Sequence, residues 1–347
     1  MSYVFRNMTS ENDLQLYSDI FKKNGSDKSL KLLEWEHFNN SNASPMTTLV
    51  LNADGDLAGV YATLAVKVKV GDVVVDACQS LDTLTDESHR GKGLFLASAK
   101  HRYKENVRGG VNFVYGFPNG SSMHGFVKHL DWHLLDSIPF LIKPVRLNYF
   151  FKKILKINLP NILNLKLSRV KKIKRSPYNI QSIERFDSRF DKLWLDFTKN
   201  IKVAVVRDCK YLNWRFIDKP DGDYFCYGLF KEEQLLGYVV FCTRKKHGGN
   251  VGYVMELIGD LADENVLTKL LEFASSEMIK ADVDFILAWN FKFSPSSKAF
   301  KKCSYFSLHN RLRPIELHFG YAGLSENNAL LSSRENWYLS YADSDTV

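Results

Sequence analysis

Apolar positions recur along the first half of this 347-residue chain with two different periods. Residues 3–8 read as a short strand. The polar stretch 10–13 then starts a helix whose Leu14, Leu16, Tyr17, Ile20 and Phe21 recur at helical spacing. Residues 30–38 form a second short helix. Period two returns at 47–51 and 57–66, around the hairpin signal Asn52-Ala53-Asp54-Gly55. Residues 68–70 and 73–77 flank Gly71-Asp72 as another hairpin, and 78–85 carry on as a strand. The helix after it points Leu94, Phe95, Ala99, Tyr103 and Val107 to one side, and 110–117 is a further strand. The predicted order is β-α-α-β-β-β-α-β-α.

A similar order returns later. A helical run through Phe186, Phe190, Leu193, Trp194 and Phe197 precedes strands at 224–230, 235–243 and 252–258. A helix over 264–279 and a strand over 283–289 complete it. The repeat predicts an α/β chain with two domains.

Between the strand ending at Thr85 and its helix lies Ser88-His89-Arg90-Gly91-Lys92-Gly93. A strand, a glycine-spaced basic turn and a helix start aim backbone N–H groups and the helix dipole at one place, which suits a pyrophosphate. Gly91 and Gly93 let an anion approach the backbone, and Arg90 and Lys92 add charge. The corresponding turn of the second half, Gly259-Asp260-Leu261-Ala262-Asp263-Glu264, is acidic and would repel a phosphate.

The first motif resembles the coenzyme A loop of the GNAT superfamily of acyltransferases, Gln/Arg-x-x-Gly-x-Gly/Ala, with Ser88 departing from the first position. The strand at 110–117, then Pro118-Asn119-Gly120-Ser121-Ser122 and the helix toward Lys128-His129-Leu130-Asp131-Trp132, follow in the order of that family. The segments Tyr211–Phe216 and Trp337–Val347 are similar to tandem GNAT proteins of bacterial surface-sugar pathways, the latter to their C-terminal strand. The resemblance implies two tandem GNAT-like domains, each a mixed, splayed, twisted sheet flanked by helices. Residues 1–142 would hold the coenzyme A site, 143–177 would be a basic connector, and 178–347 a GNAT-like domain without a cofactor site. It further implies an acyl-CoA-dependent N-acyltransferase acting on the amine of a dTDP-linked amino-dideoxy sugar for surface polysaccharide such as O-antigen, with 3-hydroxybutyryl-CoA as a candidate donor. Alternative acceptors are a protein, a polyamine or a peptidoglycan precursor. A non-catalytic GNAT-derived protein that binds a membrane or partner is a further alternative.

Charge sharpens the division of the chain. Lys143, Arg146, Lys152, Lys153, Lys156, Lys166, Arg169, Lys171, Lys172, Lys174 and Arg175 exceed the whole net charge of +8, so the rest is slightly acidic. This run reads as a connector with some affinity for an anionic membrane surface, or as a contact for a substrate diphosphate. No nucleic-acid module accompanies it. Five scattered cysteines without a Cys-x-x-Cys pair read as reduced cytoplasmic thiols, and no histidine or cysteine spacing suits a metal. The N-terminus carries no signal-peptide pattern, and no apolar run is long enough to span a membrane.

Acyl transfer from a thioester needs an in-line neutral amine and an N–H donor for the oxyanion. Backbone groups of Leu84 and Thr85 are candidates for holding the pantetheine arm. His89, Arg90, Gly91, Lys92, Gly93, Leu94 and Phe95 would line the cofactor site, joined by Asn119 and Ser122 on the resemblance. Asp82, at the end of its strand, and His124, beyond Asn119, are the candidates for accepting the amine proton. Asp343 and Asp345 are read as caps of the tail, with a place facing the amino sugar across the domain interface as the alternative.

Overall fold

Val4–Asn7 (β1), Met46–Leu51 (β2), Leu57–Val70 (β3) and Val73–Thr85 (β4) form an antiparallel meander in this computed structural model. It describes residues 2–42, 45–150, 167–168, 177–309, 313, 317–325 and 329–347. Most of the basic connector therefore lies outside the described residues. Helices α1 (Glu11–Lys23) and α2 (Leu30–His37) pack beside the meander, burying Tyr17, Ile20, Phe21 and Leu33 with Leu49 and Val60. After β4 come α3 (Leu94–Arg108), β5 (Phe113–Gly116) and α4 (Gly120–His129).

Two irregularities in β4 position everything that follows. Thr83 pairs with Tyr61 but Ser80 pairs with Thr63, so Leu81 and Asp82 bulge opposite Ala62. β4 and β5 are parallel and pair only through Cys78 with Val114 and Gln79 with Tyr115. Beyond Gln79 the two strands are no longer paired, and a cleft lies between them.

The later elements are β6 (His133–Ser137), β7 (Phe140–Pro144), α5 (Leu147–Phe150), β8 (Tyr178–Ser182), α6 (Ser188–Phe197), β9 (Val203–Val205) and α7 (Cys209–Leu212). They continue as β10 (Phe225–Lys231), β11 (Gln234–Lys246), β12 (Gly249–Gly259), α8 (Glu264–Lys280), β13 (Phe285–Trp289), α9 (Ser297–Lys302), β14 (Phe306–Ser307) and β15 (His318–Gly323). The first sheet runs β1-β2-β3-β4-β5-β15-β6, with β9 on β3; the second runs β14-β7-β13-β12-β11-β10-β8. Each contains one parallel pair, β4 with β5 and β12 with β13. The α/β architecture of two mixed sheets flanked by helices is the one expected.

The strands are exchanged between the sheets, however. β7 comes from the first part of the chain and pairs with β13, whereas β15 and β9, from the last part, pair with β5, β6 and β3. The expected divisions at 142 and 178 are crossed by these strands. The expected C-terminal strand over 337–347 is not formed either. A short 3₁₀ turn, Tyr341–Asp343, lies in this stretch, capped by Ser340 accepting from the N–H of Ala342, and another, Arg334–Asn336, immediately precedes it. The final strand is β15. One large apolar cluster spans both sheets: Phe113 and Tyr115 meet Trp337, and Trp289 stacks on Tyr341 at 4.4 Å.

Candidate active site

Asp86 sets the shape of the glycine loop. It is 1% exposed and accepts from the N–H and hydroxyl of Ser88, from Asn24 and from Lys23. Burial opposes its charge, but these donors hold its carboxyl well below the usual range. The chain then passes through Gly91 at φ +76° and Gly93 at φ +70°. Nothing lies within 4 Å of a Cβ built on either, so both present bare backbone to open space. Gly93 is the N-cap of α3 and has no side chain to satisfy the helix's first N–H groups, the arrangement an anion completes. Arg90 is exposed and paired with Glu87, His89 is held by the Tyr3 hydroxyl at 2.9 Å, and the Lys92 ammonium lies 5.9 Å from the Tyr3 ring centroid. Leu94 is buried, and Phe95 packs edge-on against Phe126 of α4. Gly125 is required at that contact, since its Cβ would lie 2.8 Å from the Phe95 ring.

The cleft between β4 and β5 opens into a cavity of about 250 Å³ lined by Ser80, Leu81, Thr83, Phe117, Asn119 and Ser122, among others. Asn119 is fixed there, its side-chain oxygen accepting from the N–H of Ser122 at 3.0 Å. Leu84 and Thr85 continue β4 toward the glycine loop, half-buried and paired with Val60 and Gly59 on the β3 side. A second cavity, of about 130 Å³, includes Lys28, Glu36, Gln79, Trp214 and Lys219 in its walls. Both cavities are lined by Leu81 and Asp345, so they meet at the β4 bulge. Asp345 is solvent-accessible and at the same time densely surrounded, as expected of a side chain in the floor of a deep open cleft. Burial, and then the nearby Asp82, push its carboxyl above the ordinary value.

Asp82 is brought to the site but is occupied. It accepts from the Tyr17 hydroxyl at 2.7 Å and from the Lys28 ammonium, and Lys28 also binds Glu36 at 3.0 Å. Burial works against the charge on Lys28, but the two carboxylates overcome it and raise its pKa. Glu36 is pushed up to about 7 by burial, against the pull of Lys28. Its neighbour His37 is pushed down to about 4 by burial, and its Nε2 has no hydrogen-bond partner among the described residues.

His124 is not brought into this constellation. Ser122 and Phe126 of α4 face the larger cavity, and His124, two residues from each, falls on the exposed side of the helix. Sequence reasoning passed over Lys28, Glu36 and Gln79 and left Asp345 among the tail caps. Of the two tail aspartates only Asp343 is a cap; its carboxylate accepts from the Ser340 N–H. The Ser340-x-x-Asp343 spacing was the signal that could have told them apart.

The second sheet repeats the layout, with its helix cap and strand bulge satisfied by the chain itself. Asp263 caps α8 by accepting from the Asn265 N–H at 3.0 Å and also accepts from the Tyr178 hydroxyl. A Cβ on Gly259 would lie 2.7 Å from Val266, so this turn is closely packed. At the β12 bulge Glu256 is bound by Arg207 at 2.7 Å, and Arg207 also binds Asp343 at 2.7 Å; all three side chains are fully buried. A further cavity of about 530 Å³ near this turn carries both signs of charge, with Arg189, Lys192 and Lys199 facing Asp196, Glu233 and Asp260. Among the described residues no helix is long and apolar enough to cross a membrane, and no group of three or more His, Cys, Asp or Glu is placed to hold a metal ion.

Known proteins bear on this geometry. Residues 7–135 match the family described as acetyltransferase (GNAT) domain. That match spans the N-terminal part of the chain, which is similar to GNAT domains. The matched residues include the glycine loop, β4, β5 and the Lys28–Asp82 cluster, and the match agrees with the expected enzyme class, an acyl-CoA-dependent N-acyltransferase. No curated protein matches the chain by sequence. Solved structures match over nearly its whole length. A GCN5-related N-acetyltransferase from Anabaena variabilis has a TM-score of 0.66 at 11% identity, covering 93% of this chain and 73% of that one. The N-myristoyltransferase of Saccharomyces cerevisiae, with bound myristoyl-CoA, has 0.62 at 13%, covering 92% and 82%. A conserved protein from Enterococcus faecalis, a probable N-acyltransferase, has 0.62 at 12%, covering 94% and 73%. These likenesses show that both sheets, beyond the matched GNAT segment, share one fold with such proteins.

Proposed function

We propose that this protein is a cytoplasmic GNAT enzyme that transfers an acyl group from coenzyme A to the amine of a dTDP-linked amino-dideoxy sugar. The observation that carries the reading is the meeting of two cavities at Leu81 and Asp345, beside the point where β4 leaves β5. The donor lies on the larger-cavity side, its pyrophosphate on the Gly91–Gly93 backbone and its pantetheine arm along the unpaired edge of β4 near Leu84 and Thr85. The acceptor enters through the smaller cavity. Its neutral amine attacks the thioester carbon, a C–N bond forms, the C–S bond breaks, and coenzyme A leaves as the thiolate. The proton released by the nitrogen passes to the Asp345 carboxylate and from there to solvent, which reaches Asp345. Asp82 acts as a positioning residue: bound to Lys28 and Tyr17, it holds the charges of the acceptor wall in place. Support for the sugar, its dTDP carrier and a 3-hydroxybutyryl donor comes from the resemblance of Tyr211–Phe216 and the tail to surface-sugar enzymes.

Thermal melting with coenzyme A, acetyl-CoA and 3-hydroxybutyryl-CoA, each with and without dTDP, tests this, because a ligand that binds only the native state raises Tm. A rise with the thioesters that grows with dTDP is expected. No rise with any coenzyme A compound sinks the transferase; a rise that dTDP does not change removes the nucleotide sugar. Asp345→Asn is expected to lower kcat by about 10²–10⁴-fold, the usual contribution of a general base, with the acyl-CoA shift intact.

A further inference from the structure

Gln79 is the last residue of β4 that pairs with β5, two residues before the Leu81 bulge. Its side chain is 4% exposed and lines the smaller cavity. Its Nε2 has no hydrogen-bond partner among the described residues. Buried amide donors are nearly always satisfied, because leaving one unpaired costs the full loss of its hydration. Here the residue that carries the unsatisfied donor lines the acceptor cavity, so that a ligand atom held against Gln79 would satisfy it. Only a hydrogen-bond acceptor can do so, so an ammonium group is excluded as its partner. Glu36 and Asp345 on the same walls supply the opposite preference and suit the nitrogen end. The cavity thus asks for two different things of one ligand.

We infer that Gln79 donates from Nε2 to an oxygen of the acceptor carried close to its amine, so that the site selects oxygen-bearing amines over simple alkylamines. The inference rests on the acceptor entering through this cavity. A hydroxyl, ring oxygen or carbonyl near the nitrogen meets the requirement; a bare hydrocarbon amine leaves the donor unpaired and is rejected.

The test compares the full-length protein with Gln79→Met, which keeps the side-chain length and removes the donor. Two probes differ by one group, trans-2-aminocyclohexanol and cyclohexylamine, and their binding is titrated by thermal shift. The wild type is expected to bind the amino alcohol about tenfold or more tightly than the alkylamine, the worth of one neutral hydrogen bond, and the variant to bind both alike. Equal affinity in the wild type, or binding of neither, overturns the inference. Without ligand the variant is expected to melt at or above the wild-type temperature, since a buried unpaired donor has gone. A fall of several degrees would mean that the amide serves the fold, and would also overturn it. Acetyl-CoA titrated in parallel is expected to stabilise both forms equally. If it stabilises neither, the transferase reading fails, while the comparison of the two amines still decides the role of Gln79.

Discussion

The helix that follows the fourth strand of each sheet's meander begins in opposite ways. At α3 the cap is Gly93 in a left-handed conformation, with no side chain over the first turn and open space around both loop glycines. At α8 the cap is Asp263, whose carboxylate already occupies the place of an anion, and Gly259 is packed against Val266. The strand bulges differ in the same way. The β4 bulge borders cavities; the β12 bulge borders a buried Arg207 with Glu256 and Asp343, and Tyr338 and Ser340 bind Glu256 as well. One architecture therefore serves as a site where its polar groups are left for a ligand, and as a scaffold where the chain satisfies them itself.

The sharpest way to break this contrast is Arg207→Met. It leaves Glu256 and Asp343 buried without their cation, and a loss of about 3–5 kcal/mol in urea unfolding is expected. A loss under 1 kcal/mol would mean that the second bulge is not held by charge. Next in size is Gly91→Asp with Gly93→Asp. Each new Cβ meets no protein atom within 4 Å, but the residue strains a positive-φ backbone and brings negative charge to the helix start. Acyl-CoA affinity should fall at least about 100-fold by calorimetry, a loss of about 2.7 kcal/mol, with the circular dichroism spectrum unchanged. Retained affinity would make the loop a plain turn.

A smaller effect separates two neighbours. The native state holds a proton on Glu36 up to about pH 7, so the stability from this site is full at low pH and is lost as pH rises from about 4.5 to 7. It keeps His37 neutral down to about pH 4, so that contribution is full above 6.5 and is lost as pH falls toward 4. The two nearly cancel in the wild type. Glu36→Gln should therefore lose stability on acidification, and His37→Gln on alkalinisation, each by about 1–3 kcal/mol at about 1.4 kcal/mol per pKa unit. Slopes of the same sign in both variants would refute the assignment. The smallest change is expected from Asp263→Ala, about 1 kcal/mol for a lost helix cap, with acyl-CoA affinity unaltered.

What could be read from the sequence was local. The helices from Glu11 and Leu30, the hairpins at Gly55 and Gly71 and the glycine loop all announce themselves by spacing and turn chemistry within a few residues. Asp82 was legible as the end of a strand. That its charge is taken by Lys28 was not, because the partner lies in the turn between α1 and α2 and is delivered by packing. His124 was misplaced by proximity in sequence: it is next to Asn119 along the chain but turned away by the helix that starts between them. The strand exchange left no local trace, since β7 and β15 are short and their partners are chosen by the core.

The exchange also governs when this protein can become itself. Val114 of β5 waits for Ala322 of β15, about 200 residues later. As the chain leaves the ribosome, the edge of β5 away from β4 stays bare until nearly the whole polypeptide has been made, and such an edge is open to pairing with other chains. The sheet that carries the glycine loop cannot be completed before the last part of the chain is made. Synthesis that stops short of β15 leaves it unfinished.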